Sequence, residues 1–274
     1  MNRYGLTQLE KLAIAVAVLA VLAILVPLYR QLVDIKRTAD CLSNLKDIAT
    51  AINLYQLDYT NTLPLAYYAN PDGSPQTDTA GRPLSWVLCI SSYMKRDLQR
   101  ALKCPADPTG GSTVITHPRD SSKTLRLSYG FYAPLSAVRM EDLPNPGLSV
   151  LIADSLAGGQ RGSLNPNPLV GGNDGFALTF DDALFKPTAD SKYVARLAVW
   201  RRREENGWQP DNLRSFHGKG VNVLHADGHV STRAPSILLL QRDAQGKLEP
   251  PWTLPEPRKE REQIAYDRTN RAGR

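Results

Sequence analysis

The chain predicts an α+β protein in which one long N-terminal α-helix packs on an antiparallel β-sheet. Three observations carry that prediction. A long apolar run near the N-terminus passes into an amphipathic stripe whose apolar residues recur every three or four positions. Short strand-like stretches follow, separated by turns rich in Pro, Gly, Asn and Asp. Farther along, Asp227-Gly228 sits between two strand-forming runs, the signature of a hairpin. The net charge of +6 over 274 residues is modest. Much of the excess lies in Arg201–Arg203 and in the tail after Pro255, so the charge alone does not argue for nucleic acid.

The first element opens MNRYGLTQLEK, and from Leu12 to Leu28 no side chain is polar. That run is about 25 Å long as a helix, and extending it from Leu6 to Tyr29 is enough to cross a hydrocarbon core of roughly 30 Å. A secretory signal peptide would have a shorter apolar region and a small-x-small cleavage site, which Ile24 to Tyr29 does not offer. A buried core helix does not need so long an uninterrupted run. A single-pass anchor fits the length but leaves Glu10 unexplained, because a carboxylate near an apolar helix end is costly unless it meets a positive partner.

The helix is expected to continue past the membrane. Leu28, Leu32, Ile35, Ala39, Leu42, Leu45, Ala49, Ile52 and Tyr59 form one stripe, with Pro27 bending the rod. Asn61-Thr62-Leu63-Pro64 ends it. The next expected elements are a helical region between Leu84 and Leu102, strands at Leu125–Tyr132, Ser149–Ala153 and Tyr193–Trp200, and a loop at Asn165–Asp174. Val221–Ala226 and His229–Ser231 read as a hairpin closed by a two-residue type I′ turn, in which both turn residues have positive φ. From Gln241 the chain is rich in Pro and charge and reads as a solvated tail.

The domain plan is therefore a leader at 1–5, a membrane helix at 6–29, an amphipathic helix at 30–62, an α+β body at 63–240 and a flexible tail at 241–274. Cys41, Cys89 and Cys104 contain no C-x-x-C pair, which argues against zinc. One disulfide plus one free thiol is open, with the pairing undetermined. His217, His225, Asp227 and His229 are ligand-capable types, and in the hairpin two imidazoles could converge on one face. Asp174, Asp181 and Asp182 form an acidic cluster that by its residues alone is also an ordinary acidic loop.

The leader and helix resemble those of type IV prepilins and type II secretion pseudopilins: a short basic stub ending in Gly5, then Leu6, with Glu10 as the fifth residue counted from Leu6. The resemblance implies cleavage by a prepilin peptidase between Gly5 and Leu6 and methylation of the new N-terminus. It also implies an N-terminus-in topology in the inner membrane, a lollipop-shaped fold, and assembly with other pilin or pseudopilin subunits. Glu10 would then pair with the new amino group of a neighbour and set register, as buried polar groups do in coiled coils.

A second set of motifs, in order along the chain, resembles a group of bacterial prepilin-like proteins with a C-terminal His-(nine residues)-Asp-Gly signature, common in planctomycetes. The matching residues are Cys41, Asn44-Leu45-Lys46, Cys104-Pro105 with Asp107, Ser128-Tyr129-Gly130, Ala153-Asp154-Ser155, and His217 with Asp227-Gly228. The resemblance implies structural roles for Cys104, Pro105, Asp107, His217, Asp227 and Gly228.

The expectation is a filament subunit that is not an enzyme, needs no cofactor and binds no nucleic acid. Two rivals stand beside it. One is a membrane-anchored metal-binding domain or hydrolase using zinc or calcium at His217, His225, Asp227 and His229, though no nucleophile, general base or phosphate loop accompanies them. The other is single-strand DNA binding through Arg201, Arg202 and Arg203 beside Trp200 and Trp208.

Overall fold

The structure is a computed structural model that describes residues 7–68, 70–71, 76–82, 84–111, 113–156, 163–165, 194–201, 213–218, 220–238, 244–245 and 250–252. Helix α1 (Gln8–Asp58) runs unbroken for 51 residues, through Pro27, and is about 75 Å long. It starts on a capping box: the Thr7 hydroxyl accepts from the Glu10 N–H, and the Glu10 carboxylate accepts from the Thr7 N–H at 2.7 Å. It stops where Thr60 and Asn61 take positive φ of 50° and 55°, which returns the chain toward the body.

Two short helices follow, α2 (Trp86–Ile90) and α3 (Leu98–Ala101), capped by Ser85 and Asp97. Strands β1 (Thr113–His117) and β2 (Asp120–Leu127) make an antiparallel ribbon. The main sheet takes in β3 (Tyr129–Tyr132), β4 (Val150–Leu156), β5 (Ser163–Asn165), β6 (Val194–Leu197), β9 (Val221–His225) and β10 (Val230–Arg233). Its order is β10-β9-β4-β3-β5-β6, and the short strands β7 (Trp200–Arg201) and β8 (Leu213–Arg214) pair separately. The pairs β10–β9, β9–β4 and β4–β3 are antiparallel, whereas β3–β5 and β5–β6 are parallel. The fold is thus α+β, with a long N-terminal helix packed on a sheet domain.

The distal half of α1 packs against β9, β10, α2 and α3. Its buried face is Cys41, Asn44, Leu45, Ile48, Ala49, Ala51, Ile52, Tyr55 and Gln56. This face is in part the expected stripe, through Leu45, Ala49 and Ile52. It differs in that Leu28, Leu32, Ile35 and Ala39 are exposed, while Cys41, Ile48 and Tyr55 do the packing. The reason is geometric: apart from Thr38, which meets His217, the body covers the helix from Cys41 onward, so the earlier stripe positions face outward whatever their spacing.

Three further expectations are corrected. The hairpin turn is not type I′. The His225 N–H donates to the His229 carbonyl and the Gly228 N–H to the His225 carbonyl. Among the described residues of the turn only Gly228 has positive φ, at 90°. This is a three-residue loop, a tight turn followed by a left-handed glycine. Secondly, the body does not end at Leu240. Trp252 is fully buried, donates to the Leu238 carbonyl at 2.9 Å and packs on Tyr132 with ring centroids 5.0 Å apart. An indole outweighs the charge of its surroundings because it removes so much apolar area from water. Thirdly, the strand expected at Leu125–Tyr132 is two strands, broken at Ser128, whose N–H leaves the ladder for the Leu102 carbonyl.

Candidate functional site

Two places in the molecule concentrate chemistry. The first is the proximal half of α1, long and apolar enough to span a membrane and wholly uncovered by the body. From Leu9 to Ile35 its large apolar side chains are exposed all round, a pattern that belongs in lipid or against other helices rather than in water. Glu10 lies at its start. The carboxylate accepts from both the N–H and the hydroxyl of Thr7, at 2.7 and 2.9 Å. Thr7-x-x-Glu10 is a capping-box spacing, legible in the sequence and absent from the register argument. Glu10 therefore has a local partner within its own chain. Gly5 and Leu6 lie outside the described residues.

The second place is a buried cluster under the point where α1 meets the body. Cys41 on α1, Cys104 after α3, Asp154 on β4 and His217 before β9 bring one ligand-type atom each to within 4.8 Å of one another. The side chains of His217 and Asp154 are 1 % and 0 % exposed. His217 Nε2 lies 3.4 Å from Cys104 Sγ and 3.5 Å from Asp154 Oδ2. Cys41 Sγ lies 3.5 Å from Asp154 Oδ1.

Neighbouring groups hold each member. The Tyr129 hydroxyl donates to Cys41 Sγ at 3.3 Å, from directly opposite Asp154 in the β3–β4 pair. The Asn222 backbone N–H donates to Asp154 Oδ2 at 2.9 Å. Asn44, one turn after Cys41, donates to the Lys103 carbonyl at 2.9 Å and so fixes the peptide that carries Cys104. Asp107 ties down the loop beyond: it accepts from the N–H groups of Thr109 and Gly111 and from the Ser128 hydroxyl, at 2.8, 2.9 and 2.7 Å. Gly111 has φ of 90°, and a Cβ there would lie 2.8 Å from that of Arg126, so this loop requires glycine. Pro105 is exposed beside the cluster.

Thr38 holds the other ring nitrogen of His217: its hydroxyl lies 2.9 Å from the Asp34 carbonyl and 3.1 Å from His217 Nδ1. Nε2 is the nitrogen that faces Cys104 and Asp154. Burial, more than any neighbour, pushes the Asp154 carboxyl well above its usual range and raises the Cys41 thiol. Burial also holds His217 down to about 4. With protein groups alone, burial favours the neutral forms of Asp154, Cys41 and His217.

The ligand set read from the sequence is redistributed. His217 faces this cluster, while the hairpin residues make their own contacts. His225 and His229 stack with centroids 4.0 Å apart, His229 Nδ1 lies 2.6 Å from Asp227 Oδ1, and His225 Nε2 lies 3.0 Å from Ser231 Oγ. His217, His225, Asp227 and His229 do not assemble as one site. Folding nevertheless brings Cys41 and Cys104, which form no C-x-x-C pair, into one cluster. No disulfide joins the three cysteines; Cys89 stands apart from the cluster, with its sulfur 3.3 Å from the Tyr68 hydroxyl. Gly228, at its positive φ, abuts Asn53 of α1: a Cβ would lie 3.0 Å from that side chain. The candidates Asp174, Asp181, Asp182, Arg202, Arg203 and Trp208 lie outside the described residues, as do the side chains of Trp200 and Arg201.

Fold and site together define an α+β body carried on a membrane-length helix, with a buried Cys-Cys-Asp-His cluster at their junction. No protein-family model, curated protein or solved structure matches the chain.

Proposed function

We propose that the chain is a pseudopilin-like structural subunit of a type II secretion or type IV pilus-type filament. In this reading it is held in the inner membrane by α1, with the body extracytoplasmic, is cleaved between Gly5 and Leu6, and assembles through the proximal half of the helix. It works mechanically and not as an enzyme. The observation that carries the reading is the division of α1: an apolar surface exposed from Leu9 to Ile35 and a face buried against the body from Cys41 onward. A membrane anchor alone needs length. A filament subunit also needs a helix free on every side to pack against neighbours, and this half is free on every side.

Glu10 gives the reading its register. In the single chain its carboxylate caps its own helix. In an assembly, the methylated amino group of a neighbouring Leu6 would be the positive partner that offsets its cost in an apolar setting. Cross-linking tests this. A Leu19→Cys chain in native membranes is expected to give a disulfide-linked dimer on oxidation, and Glu10→Gln is expected to abolish that dimer without releasing the chain from the membrane. A monomeric Leu19→Cys chain under oxidising conditions would contradict the proposal.

A further inference from the structure

We propose that Cys41, Cys104, Asp154 and His217 form a structural site for one tetrahedrally coordinated divalent cation of borderline softness, with zinc the best fit. The site lies in the body and does not depend on the filament reading.

The donor set comes first. Two thiolates, one imidazole and one carboxylate are all zinc ligand types, and this mixture excludes the oxygen-only chemistry of calcium and magnesium. The spacing agrees. With about 2.3 Å for zinc–sulfur and about 2.0–2.2 Å for zinc–nitrogen and zinc–oxygen, the edges of a tetrahedron come to about 3.3–3.6 Å between unlike donors. His217 Nε2 lies 3.4 Å from Cys104 Sγ and 3.5 Å from Asp154 Oδ2, while Cys41 Sγ lies 3.5 Å from the other oxygen, Oδ1. One donor atom from each of the four residues lies within 4.8 Å of the others, so a single centre reaches all four side chains once they draw in around it and the carboxylate offers one oxygen.

The surroundings form an outer shell of the kind metal sites carry. Thr38 occupies His217 Nδ1 at 3.1 Å, which leaves Nε2 as the ring nitrogen facing the cluster. Nε2 has a carboxylate oxygen and a sulfur at 3.5 and 3.4 Å, the mixture of donor types that a cation gathers. The Tyr129 hydroxyl and the Asn222 N–H supply hydrogen bonds to the thiolate and the carboxylate. A carboxylate and two thiols buried together repel one another once ionised, and a divalent cation at their centre turns that repulsion into attraction. All four positions are filled by protein and buried, so the site is closed and its role is to hold rather than to catalyse.

What it holds is the helix. The four ligands come from α1, the segment after α3, β4 and the loop before β9. The metal fastens the membrane helix to three parts of the body at the place where the helix leaves it. Binding also requires the thiols to lose their protons to solvent.

The test uses the full-length chain purified in detergent from zinc-supplied cells. Elemental analysis is expected to give one zinc per chain. Cys104→Ser and His217→Ala are expected to lose it, and His229→Ala on the hairpin to keep it. Because the ligand variants can misfold, the wild-type chain is also exchanged with cobalt. A thiolate-to-cobalt charge-transfer band with intense tetrahedral visible bands is the expected spectrum, and hydrogen-bonded thiols cannot produce it. Chelation should lower the melting temperature of the body, and zinc should restore it. The proposal is overturned by a chain that takes up neither zinc nor cobalt, by zinc that Cys104→Ser leaves in place, or by a native chain two hydrogens lighter with Cys41 and Cys104 joined as a disulfide.

Discussion

The two halves of α1 are one continuous helix with opposite relations to the rest of the molecule. Leu19, in the proximal half, is 66 % exposed, and Ile48, in the distal half, is fully buried. Composition follows that division. From Leu12 to Leu28 the proximal half has no polar side chain on any face, so that run carries no information about which side meets a partner. The distal half alternates Lys46 and Thr50 on its open side with Leu45, Ile48 and Ile52 on its covered side, so it specifies one docking face. One helix thus carries two surfaces: a first half long and apolar enough to span a membrane, and a second packed into the body's own core.

That comparison can be broken by substitutions that ought to act on one half only. The largest effect is expected for Ile48→Asp, which buries an unpaired carboxylate in the core at a cost of at least about 4 kcal/mol. The body should lose its protease resistance while the chain stays in the membrane. Leu19→Arg should do the reverse. It weakens membrane partitioning by about 2.5–3.5 kcal/mol and leaves the thermal unfolding of the body unchanged, with sedimentation of membranes and calorimetry as the paired readouts. If Leu19→Arg also lowers the melting temperature, the two halves are not independent.

Gly228→Ala sharpens the distal side of the comparison. The substitution forces a side chain into the left-handed region and against Asn53 of α1. About 1–3 kcal/mol is expected from denaturant unfolding. The smallest effect belongs to Thr7→Ala, which removes the cap at the far end of the helix for about 1 kcal/mol. Amide exchange should quicken in the first turn of α1 in detergent micelles, and nowhere in the body.

The difference between the halves also governs what the sequence makes legible. An apolar run long enough for a membrane and an Asp-Gly hairpin are local patterns, and both are present as elements. The phase of the buried face is not local: Leu32 and Ile35 have the right spacing but no body opposite them, while Cys41 and Ile48 have one. Trp252 reads as part of a charged tail because its partners, Tyr132 and Leu238, are distant in sequence. The Cys-Cys-Asp-His cluster was hidden for the same reason. Each of its four residues belongs to a different motif noted along the chain, and only the packing of α1 on β4 and the β9 approach shows that those motifs surround one point. His217 is the clearest case. Sequence proximity groups it with the hairpin histidines, whereas folding turns it toward Cys104 and Asp154. The capping role of Glu10, by contrast, was legible three residues away in Thr7.

The central claim is that α1 is the assembly helix of a processed filament subunit. Mass spectrometry of the N-terminal peptide, taken from the chain in its native membranes, tests it most directly. The account predicts a mature chain that begins at N-methylated Leu6. A chain that still begins at Met1 or Asn2 there would contradict it and leave α1 a membrane anchor.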